Sequence, residues 1–265
     1  MSDVRRAARQ AEQLARVQFQ WSHPELEALF AELGIEPNRG YFAVRAAPMG
    51  RPNPVLVGSA FAFFPEVMVA KIVGRIWEGV EPDHILRVAI PRLAAAAASV
   101  YPSGPDLELL VPRYERAAAA APPAGRSLTA AWSSVEWPEE AAARLLGAAT
   151  ILREYRGDAH ILALSSKELL PLAGHLLAAG MRDEDPIDAF ARGRGYRDGD
   201  VAPVVADLER RGAIADGALT SIGRDLWESV ESLTDHLGAA PWRALGDELT
   251  FTTQIAAKLL EKCSW

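Results

Sequence analysis

Apolar residues recur at helical spacing through most of this chain, and proline or glycine separates one repeat from the next. The segment Glu25–Leu33 has the i, i+3, i+4, i+7 spacing of one buried helix face, and Gly34 ends that repeat. Similar patterns or helix-favouring compositions are found over Val4–Phe19, after Pro65, and over Asp83–Val100, Leu107–Ala121 and Glu139–Glu154. The sequence therefore predicts a mainly α fold.

The last third of the chain predicts a smaller unit of a different kind. Two short helical segments, Asp185–Arg192 and Asp198–Arg211, precede a strong turn signal at Asp216 and Gly217. A long helix, Ser221–Leu237, is predicted to follow. Two helices, a small β-hairpin and another helix, in that order, are typical of a winged helix-turn-helix.

The length of 265 residues fits one to two domains of about 150 residues each. We expect a helical domain over residues 1–170, packed on a degenerate winged helix-turn-helix over residues 171–265. The fold class is thus mainly α, with a small β-hairpin in the second domain.

Composition limits the classes of partner that this chain can have. There are 28 basic and 35 acidic side chains, a net charge of −7, whereas phosphate contacts need clustered lysine and arginine. Cys263 is the only cysteine, which fits a reducing compartment. The chain lacks a signal-peptide core and has no apolar run of about 20 residues. We therefore expect a cytoplasmic protein with no membrane partner.

The predicted recognition helix of the winged unit is acidic. Residues 198–211 contain four carboxylates and two arginines, a net charge of −2, and both arginines lie at the C-terminal end. Arg192, Arg194 and Arg197 lie just upstream, where they would contact a phosphate backbone or form a solvated loop. We do not expect DNA as the partner of this chain.

The most informative polar patch lies near the middle of the chain. If the helix that includes Glu154 continues to residue 160, then Arg153, Arg156 and His160 fall on one face at about 100° per residue. Enclosing such groups without partners is costly. Their partners would be either internal carboxylates, such as Glu154 and Asp158, or an anionic ligand.

A second candidate patch lies earlier, where Arg39, Tyr41 and Arg45 are close in sequence. An arginine can bind a sulfate, phosphate or carboxylate through two parallel hydrogen bonds, and a tyrosine hydroxyl can orient a polar substrate. The alternative is a partly buried turn in which Tyr41 and Phe42 only pack.

Two more positions complete the set of candidates. Phe64 belongs to an aromatic group, with Phe61, Phe63 and Trp77, that would either line a pocket or form ordinary core. Asp83 begins a predicted helix, where it is either a carboxylate favoured by the helix dipole or a base that accepts a proton from an amine.

Several familiar chemistries have no motif in this sequence. There is no Gly-x-x-x-x-Gly-Lys-Ser/Thr loop, no His-Glu-x-x-His pair and no Gly-x-Ser-x-Gly elbow. We therefore expect neither a bound cofactor nor a metal ion.

Three segments of the chain resemble an actinobacterial family that is labelled helix-turn-helix: Arg39–Gly50, Leu152–His160 and Pro241–Glu248. The chain carries Tyr155 where that family more often has histidine. The resemblance therefore does not imply a metal or acid–base role that needs two histidines at this point.

That family is in turn similar to the sulfate-eliminating, aziridine-forming cyclases of azinomycin-type biosynthesis. This resemblance implies a cofactor-independent enzyme of natural-product biosynthesis, in which an amine attacks a neighbouring carbon and expels sulfate. Arg45, Arg153 and Arg156 would stabilise the departing sulfate, and Asp83 or His160 would be the base. The catalytic residues would then be Asp83, His160 and Arg156. The substrate-binding residues would be Arg39, Tyr41, Arg45, Phe64, Arg153 and Asp158.

The same resemblance implies a small acidic carrier protein that presents the substrate. Arg5, Arg6, Arg9 and Arg16 would form its docking face, or they would simply be the solvated side of a helix. Two other functions also fit the sequence. One is a ligand-responsive winged-helix transcription regulator, which would be a homodimer, and the other is a noncatalytic small-molecule-binding protein.

Overall fold

The computed structural model describes residues 2–20, 22–184 and 186–265. It is mainly helical, with one small two-stranded antiparallel sheet among these residues, as the sequence predicts. The helices up to the middle of the chain are α1 (Asp3–Leu14), α2 (Pro24–Leu33), α3 (Pro37–Ala46), α4 (Pro54–Ala60), α5 (Glu66–Gly79), α6 (Pro82–Val100), α7 (Pro105–Ala119), α8 (Ser127–Trp132) and α9 (Ala141–Ser166). The rest comprises α10 (Pro171–Met181), α11 (Ala189–Gly193), α12 (Asp198–Arg210), β1 (Ile214–Ala215), β2 (Ala218–Leu219), α13 (Ser221–Leu237), α14 (Ala240–Arg243) and α15 (Glu248–Glu261). Short 3₁₀ turns, Ala15–Phe19 and Ala47–Met49, follow α1 and α3.

Local sequence explains where many of these helices begin and end. Helices α2, α3, α4, α6, α7 and α10 have proline in their first turn, where the missing N–H leaves no helical hydrogen bond unmade. Gly34 ends α2 in the left-handed conformation, with φ at 63°. Proline and glycine therefore mark helix boundaries here, as the sequence indicates.

The described chain divides into two compact units. The first comprises residues up to Pro52, Ile72–Asp158 and Gly238–Trp265, and the second comprises Asn53–Lys71 and Ala159–Leu237. The division falls within α5 and α9, and the last segment returns to the first unit. These bounds differ from the division at residue 170 expected from the sequence.

The first unit is a bundle of helices around a large apolar core. Helix α1 packs on α15, α2 and α3 pack on α6, and α7 packs on α14 and α15. Its largest fully buried side chains include Trp132, Trp242, Tyr114, Leu110 and Leu145.

The second unit contains the winged helix-turn-helix. Helix α10 packs against α11, α12, α13 and strand β2, around a core that includes Leu176, Leu208 and Val230. The hairpin pairs Ile214 with Leu219 and Ala215 with Ala218. Asp216 and Gly217 both have positive φ, 49° and 74°, as a tight two-residue hairpin turn requires. The predicted winged helix-turn-helix is thus confirmed. Its first helix is Ala189–Gly193 and not Asp185–Arg192, and Asp185 lies outside the described residues.

Two expectations about local structure were wrong in detail. The predicted helix Val4–Phe19 ends as an α-helix at Leu14, and its last turn is a 3₁₀ turn with tighter hydrogen bonds. The alternative interpretation of Arg39–Gly50 as a turn is also wrong, because most of this segment lies in α3. The continuation of the middle helix to residue 160 is confirmed by α9.

Candidate functional site

The polar segment of α9, residues 153–160, is buried on nearly every side of the helix. Glu154 is 1 % exposed, Arg156 is 6 % exposed and Asp158 is 7 % exposed. Charged groups at such depth need partners, because removing them from water is costly. The partners of each group therefore decide what this segment can do.

The best-defined of these contacts joins α9 to α3 through Arg45 and Glu154. The Arg45 Nε donates to Glu154 Oε1 at 2.9 Å, and Nη2 donates to Oε2 at 2.7 Å. The Nη1 of Arg45 also donates to the Tyr41 hydroxyl at 2.8 Å. Arg45 and Glu154 therefore form a buried bidentate ion pair, and the Tyr41 hydroxyl accepts a third hydrogen bond from the same guanidinium.

The pKa values of this pair follow from burial and from charge. Burial alone would lower the pKa of Arg45, but the negative charge of Glu154 and its hydrogen bonds raise it above the ordinary value. Burial would raise the pKa of Glu154, and the positive charges of Arg153 and Arg45 lower it overall. Both groups are therefore charged at neutral pH.

Arg153 and Arg156 also contact native carboxylates. Arg153 forms an ion pair with Glu154 and places its guanidinium 4.7 Å from the centre of the Phe19 ring. The Nη1 of Arg156 lies 3.3 Å from Glu12 Oε1. For these arginines the structure therefore supports internal salt bridges. Of the two alternatives that the sequence leaves open, internal carboxylates are the partners that the structure shows for Arg45 and Arg156.

Asp158 contacts the N-terminal turn of α8. Its carboxylate accepts hydrogen bonds from the Thr129 amide at 3.0 Å and from the Thr129 hydroxyl at 2.7 Å. Burial raises the pKa of Asp158, and the two bonds from Thr129 oppose that rise. These contacts give Asp158 a structural role at the start of α8.

A cavity of about 400 Å³ lies beside this network in the first unit. Its lining residues are Arg9, Glu12, Gln13, Arg16, Phe19 and Arg153, and we call it the arginine cavity. The lining residues carry three guanidinium groups and one carboxylate, and Glu154 outside the lining contacts one of the three, Arg153. Glu12 contacts Arg9 at 3.1 Å as well as Arg156, so it helps to fix the cationic side chains.

Of the residues that line this cavity, the sequence indicates only Arg153 as a binding residue. It leaves Arg9 and Arg16 as either a docking face or the solvated side of a helix. The signal that was missed is the spacing of Arg9, Glu12, Gln13 and Arg16. These positions follow i, i+3, i+4, i+7, so they share one face along α1 and the turn after it. A polar stripe at helical spacing is informative in the same way as an apolar one.

His160 belongs to the second unit, where two groups on α13 orient its ring. Its Nδ1 lies 2.9 Å from Thr234 Oγ1 and 3.5 Å from Glu231 Oε1. The Thr234 hydroxyl donates its one hydrogen to the Val230 carbonyl at 2.8 Å, so it can only accept from His160. We infer that Nδ1 carries the hydrogen, which makes Nε2 the basic nitrogen of the neutral ring.

Aromatic side chains enclose this histidine. The His160 ring stacks on Phe63 with 5.5 Å between ring centres, and Trp227 meets it edge-on at 5.7 Å. His175 lies on another side of Phe63, at 5.4 Å, and its Nε2 donates to the Phe63 carbonyl at 2.9 Å. Burial lowers the pKa of His175. Sequence reasoning identified Phe63 as an aromatic wall, but it missed Trp227, Glu231 and His175.

The other candidates do not line the arginine cavity. Arg39 is on the surface, 3.3 Å from Glu36. Phe64 lies in the second unit beneath the Arg194 guanidinium, at 4.6 Å. Asp83 is exposed in the first turn of α6, a position that the helix dipole favours for a carboxylate.

Three exposed arginines of the winged unit, Arg192, Arg210 and Arg211, have acidic neighbours. Arg210 and Arg211 both contact Asp207, and Arg211 lies 2.8 Å from it. Arg192 contacts Asp188 at 2.7 Å and also Asp198. These contacts reduce the positive charge that the unit could present to a phosphate backbone.

Three further properties of the described residues concern metal binding, membrane spans and the thiol of Cys263. No group of three or more His, Cys, Asp or Glu side chains is placed to hold a metal ion in the described part of the chain. Within the same residues no single helix is long and apolar enough to cross a membrane, and only the bent pair α9 and α10 meets that test by length and composition. Burial raises the pKa of Cys263 to about 11, so its thiol is protonated at neutral pH.

The fold and these contacts define an all-α protein that carries a winged helix-turn-helix. A helix-turn-helix family model matches residues 4–264, so the chain belongs to that family. No curated protein and no solved structure matches the chain.

Proposed function

We propose that this protein binds a small molecule with a sulfate, phosphate or carboxylate group in the arginine cavity. The observation that carries the proposal is the excess of positive charge on that lining, with Arg9, Arg16 and Arg153 around one carboxylate. The volume of about 400 Å³ suits a small ligand. Phe19 supplies an apolar wall for the uncharged part of the molecule.

The chemistry that we propose for the bound molecule is ring closure with loss of sulfate. The nitrogen lone pair forms the new bond to carbon, and the C–O bond to the sulfate group breaks with its electron pair leaving on sulfate. The proton of the nitrogen passes to a base. Arginines in the cavity would stabilise the charge that develops on the departing sulfate, and no cofactor is needed for this step.

We keep two candidates for that base, Asp83 and His160. The His160 ring is oriented by Thr234 and Glu231, and its surroundings are aromatic. Asp83 is an exposed carboxylate in a helix N-terminal turn. A histidine with a fixed tautomer presents one defined nitrogen as the proton acceptor.

Replacing Arg153 by glutamine should weaken the binding of 2-aminoethyl sulfate at least about tenfold, because a charge-assisted hydrogen bond is lost. Isothermal titration calorimetry measures this directly, with inorganic sulfate as a second probe. Arg6→Gln is the matched control, since Arg6 is on α1 but does not line the cavity. Equal affinity of the wild-type protein and R153Q would contradict the binding site.

Release of inorganic sulfate from 2-aminoethyl sulfate, followed by ion chromatography, tests the reaction separately from binding. Binding together with release would support the cyclase. Binding without release over a range of sulfated amines would leave a noncatalytic binding protein and overturn the proposed reaction.

A second candidate function is a ligand-responsive transcription regulator, and the presence of α11, α12, the hairpin and α13 favours it. The charge of the winged unit does not favour this function, because α12 carries four carboxylates and one arginine. We therefore predict no sequence-dependent DNA binding in the nanomolar range at physiological salt. A gel-shift assay with the DNA upstream of the coding sequence measures this. Tight, sequence-dependent binding would replace our first proposal.

A further inference from the structure

A larger cavity, of about 730 Å³, lies elsewhere in the first unit, and we call it the tryptophan cavity. One wall is Trp137, in the segment between α8 and α9, and the opposite elements contribute Glu115 from α7 and Arg144 from α9. None of these residues lines the arginine cavity. The two cavities are therefore separate sites.

Contacts with Gly147 and Trp132 determine where the Trp137 indole lies. A Cβ atom at Gly147 would lie 2.7 Å from Trp137 Cδ1, closer than any real Cβ contact, so only glycine lets the ring rest on α9 here. On another side the ring stacks with Trp132, at 6.2 Å between ring centres and with 27° between planes. These two contacts fix the position of the indole in the cavity lining, with Gly147 against one face of the ring.

The charges of the lining favour a cation. Glu115 accepts two hydrogen bonds from Arg144, at 2.7 and 2.6 Å, so these two side chains neutralise each other. Glu139 adds a second carboxylate, which acts on Arg144 through its charge, and the lining keeps one net negative charge. The remaining surface is mostly apolar, from Ala118, Ala148 and similar side chains.

We propose that the tryptophan cavity is a second ligand site, which takes a small organic cation with an apolar body. The ammonium group would lie against the Glu139 carboxylate, and the apolar body would cover the alanine surface and the accessible part of Trp137. The carboxylate attracts the ammonium group through a direct charge interaction, and the apolar surface favours burial of the rest of the molecule. This inference does not depend on the function proposed for the arginine cavity.

The test uses benzylamine, which is protonated at neutral pH, with benzyl alcohol and benzoate as neutral and anionic counterparts. Binding is followed by the NMR shift of the Trp137 indole N–H during titration. We expect benzylamine to bind and benzoate not to bind. The variant Glu139→Gln should weaken benzylamine about fivefold, a loss typical of one partly solvated charge contact.

Glu136→Gln is the matched control, because Glu136 lies on the same segment outside the lining and should leave the affinity unchanged. Arg153→Gln should also leave benzylamine binding unchanged, which separates this site from the arginine cavity. Equal binding of benzoate and benzylamine, or an unchanged affinity in E139Q, would overturn the proposal. The NMR spectrum of E139Q checks that the variant is folded, so that a change in benzylamine affinity reports on the site and not on unfolding.

Discussion

Replacing Arg45 by methionine should lower the free energy of unfolding by about 3 kcal/mol. The substitution leaves the Glu154 carboxylate buried, with 2 % of its side chain exposed, and removes the two hydrogen bonds from Arg45. Arg153 remains beside Glu154 and donates one hydrogen bond to Oε1, whereas Arg45 supplies two hydrogen bonds. Urea unfolding followed by circular dichroism measures the loss.

Arg39→Met on the same helix is the matched control for this effect. Arg39 and Glu36 form an exposed pair, with 41 % and 66 % of their side chains accessible, so its loss should change stability by less than about 1 kcal/mol. The double variant Arg45→Met with Glu154→Leu should recover most of the loss, because no unpaired carboxylate stays buried. Similar losses in R45M and R39M would contradict the role of the buried pair.

The pH dependence of stability provides a further check on the same pair. The pKa of Glu154 is lowered in the folded state, from an ordinary value of 4.5. Its contribution to stability is therefore present above pH 4.5 and is lost as the pH falls toward the folded-state pKa. In the double variant this part of the acid sensitivity should disappear.

The helices and the hairpin could be predicted from the sequence because their signals are local. Ser221–Leu237 is predicted and observed with the same bounds, and the turn at Asp216 and Gly217 lies where the dipeptide indicates. Helix α2 begins at Pro24, one residue before the predicted start. Apolar spacing, proline and glycine act within a few residues of one another, so one sequence suffices to interpret them.

The partners of the polar segment could not be predicted in the same way. Arg45 and Glu154 are 109 positions apart, and Arg156 and Glu12 are 144 positions apart. Nothing in a local pattern says which distant carboxylate a buried arginine contacts. The sequence could show that Arg153, Arg156 and His160 share a helix face, but the choice between an internal acid and a ligand required the packing of α1 and α3.

A glycine in the winged unit carries the other large effect on stability. Gly223→Ala should destabilise the second unit by about 3 kcal/mol, because a Cβ atom would lie 2.2 Å from the Ala213 carbonyl oxygen and 2.5 Å from Leu219 Cδ1. The first atom belongs to the backbone, which cannot move aside as a flexible side chain can. Alanine favours helix over glycine by only about 1 kcal/mol, so the steric cost decides the sign.

Hydrogen exchange provides the measurement, since it reports on each unit separately. In G223A the amides of α10, α12 and α13 should exchange faster, while those of α6 and α7 keep their protection. Gly199→Ala is the matched control: Gly199 is in the first turn of α12, and nothing lies within 4 Å of its added Cβ. We expect that control to change stability by less than about 1 kcal/mol, toward greater stability. Equal protection of α13 in the two variants would mean that the start of α13 does not pack tightly against the Ala213 backbone.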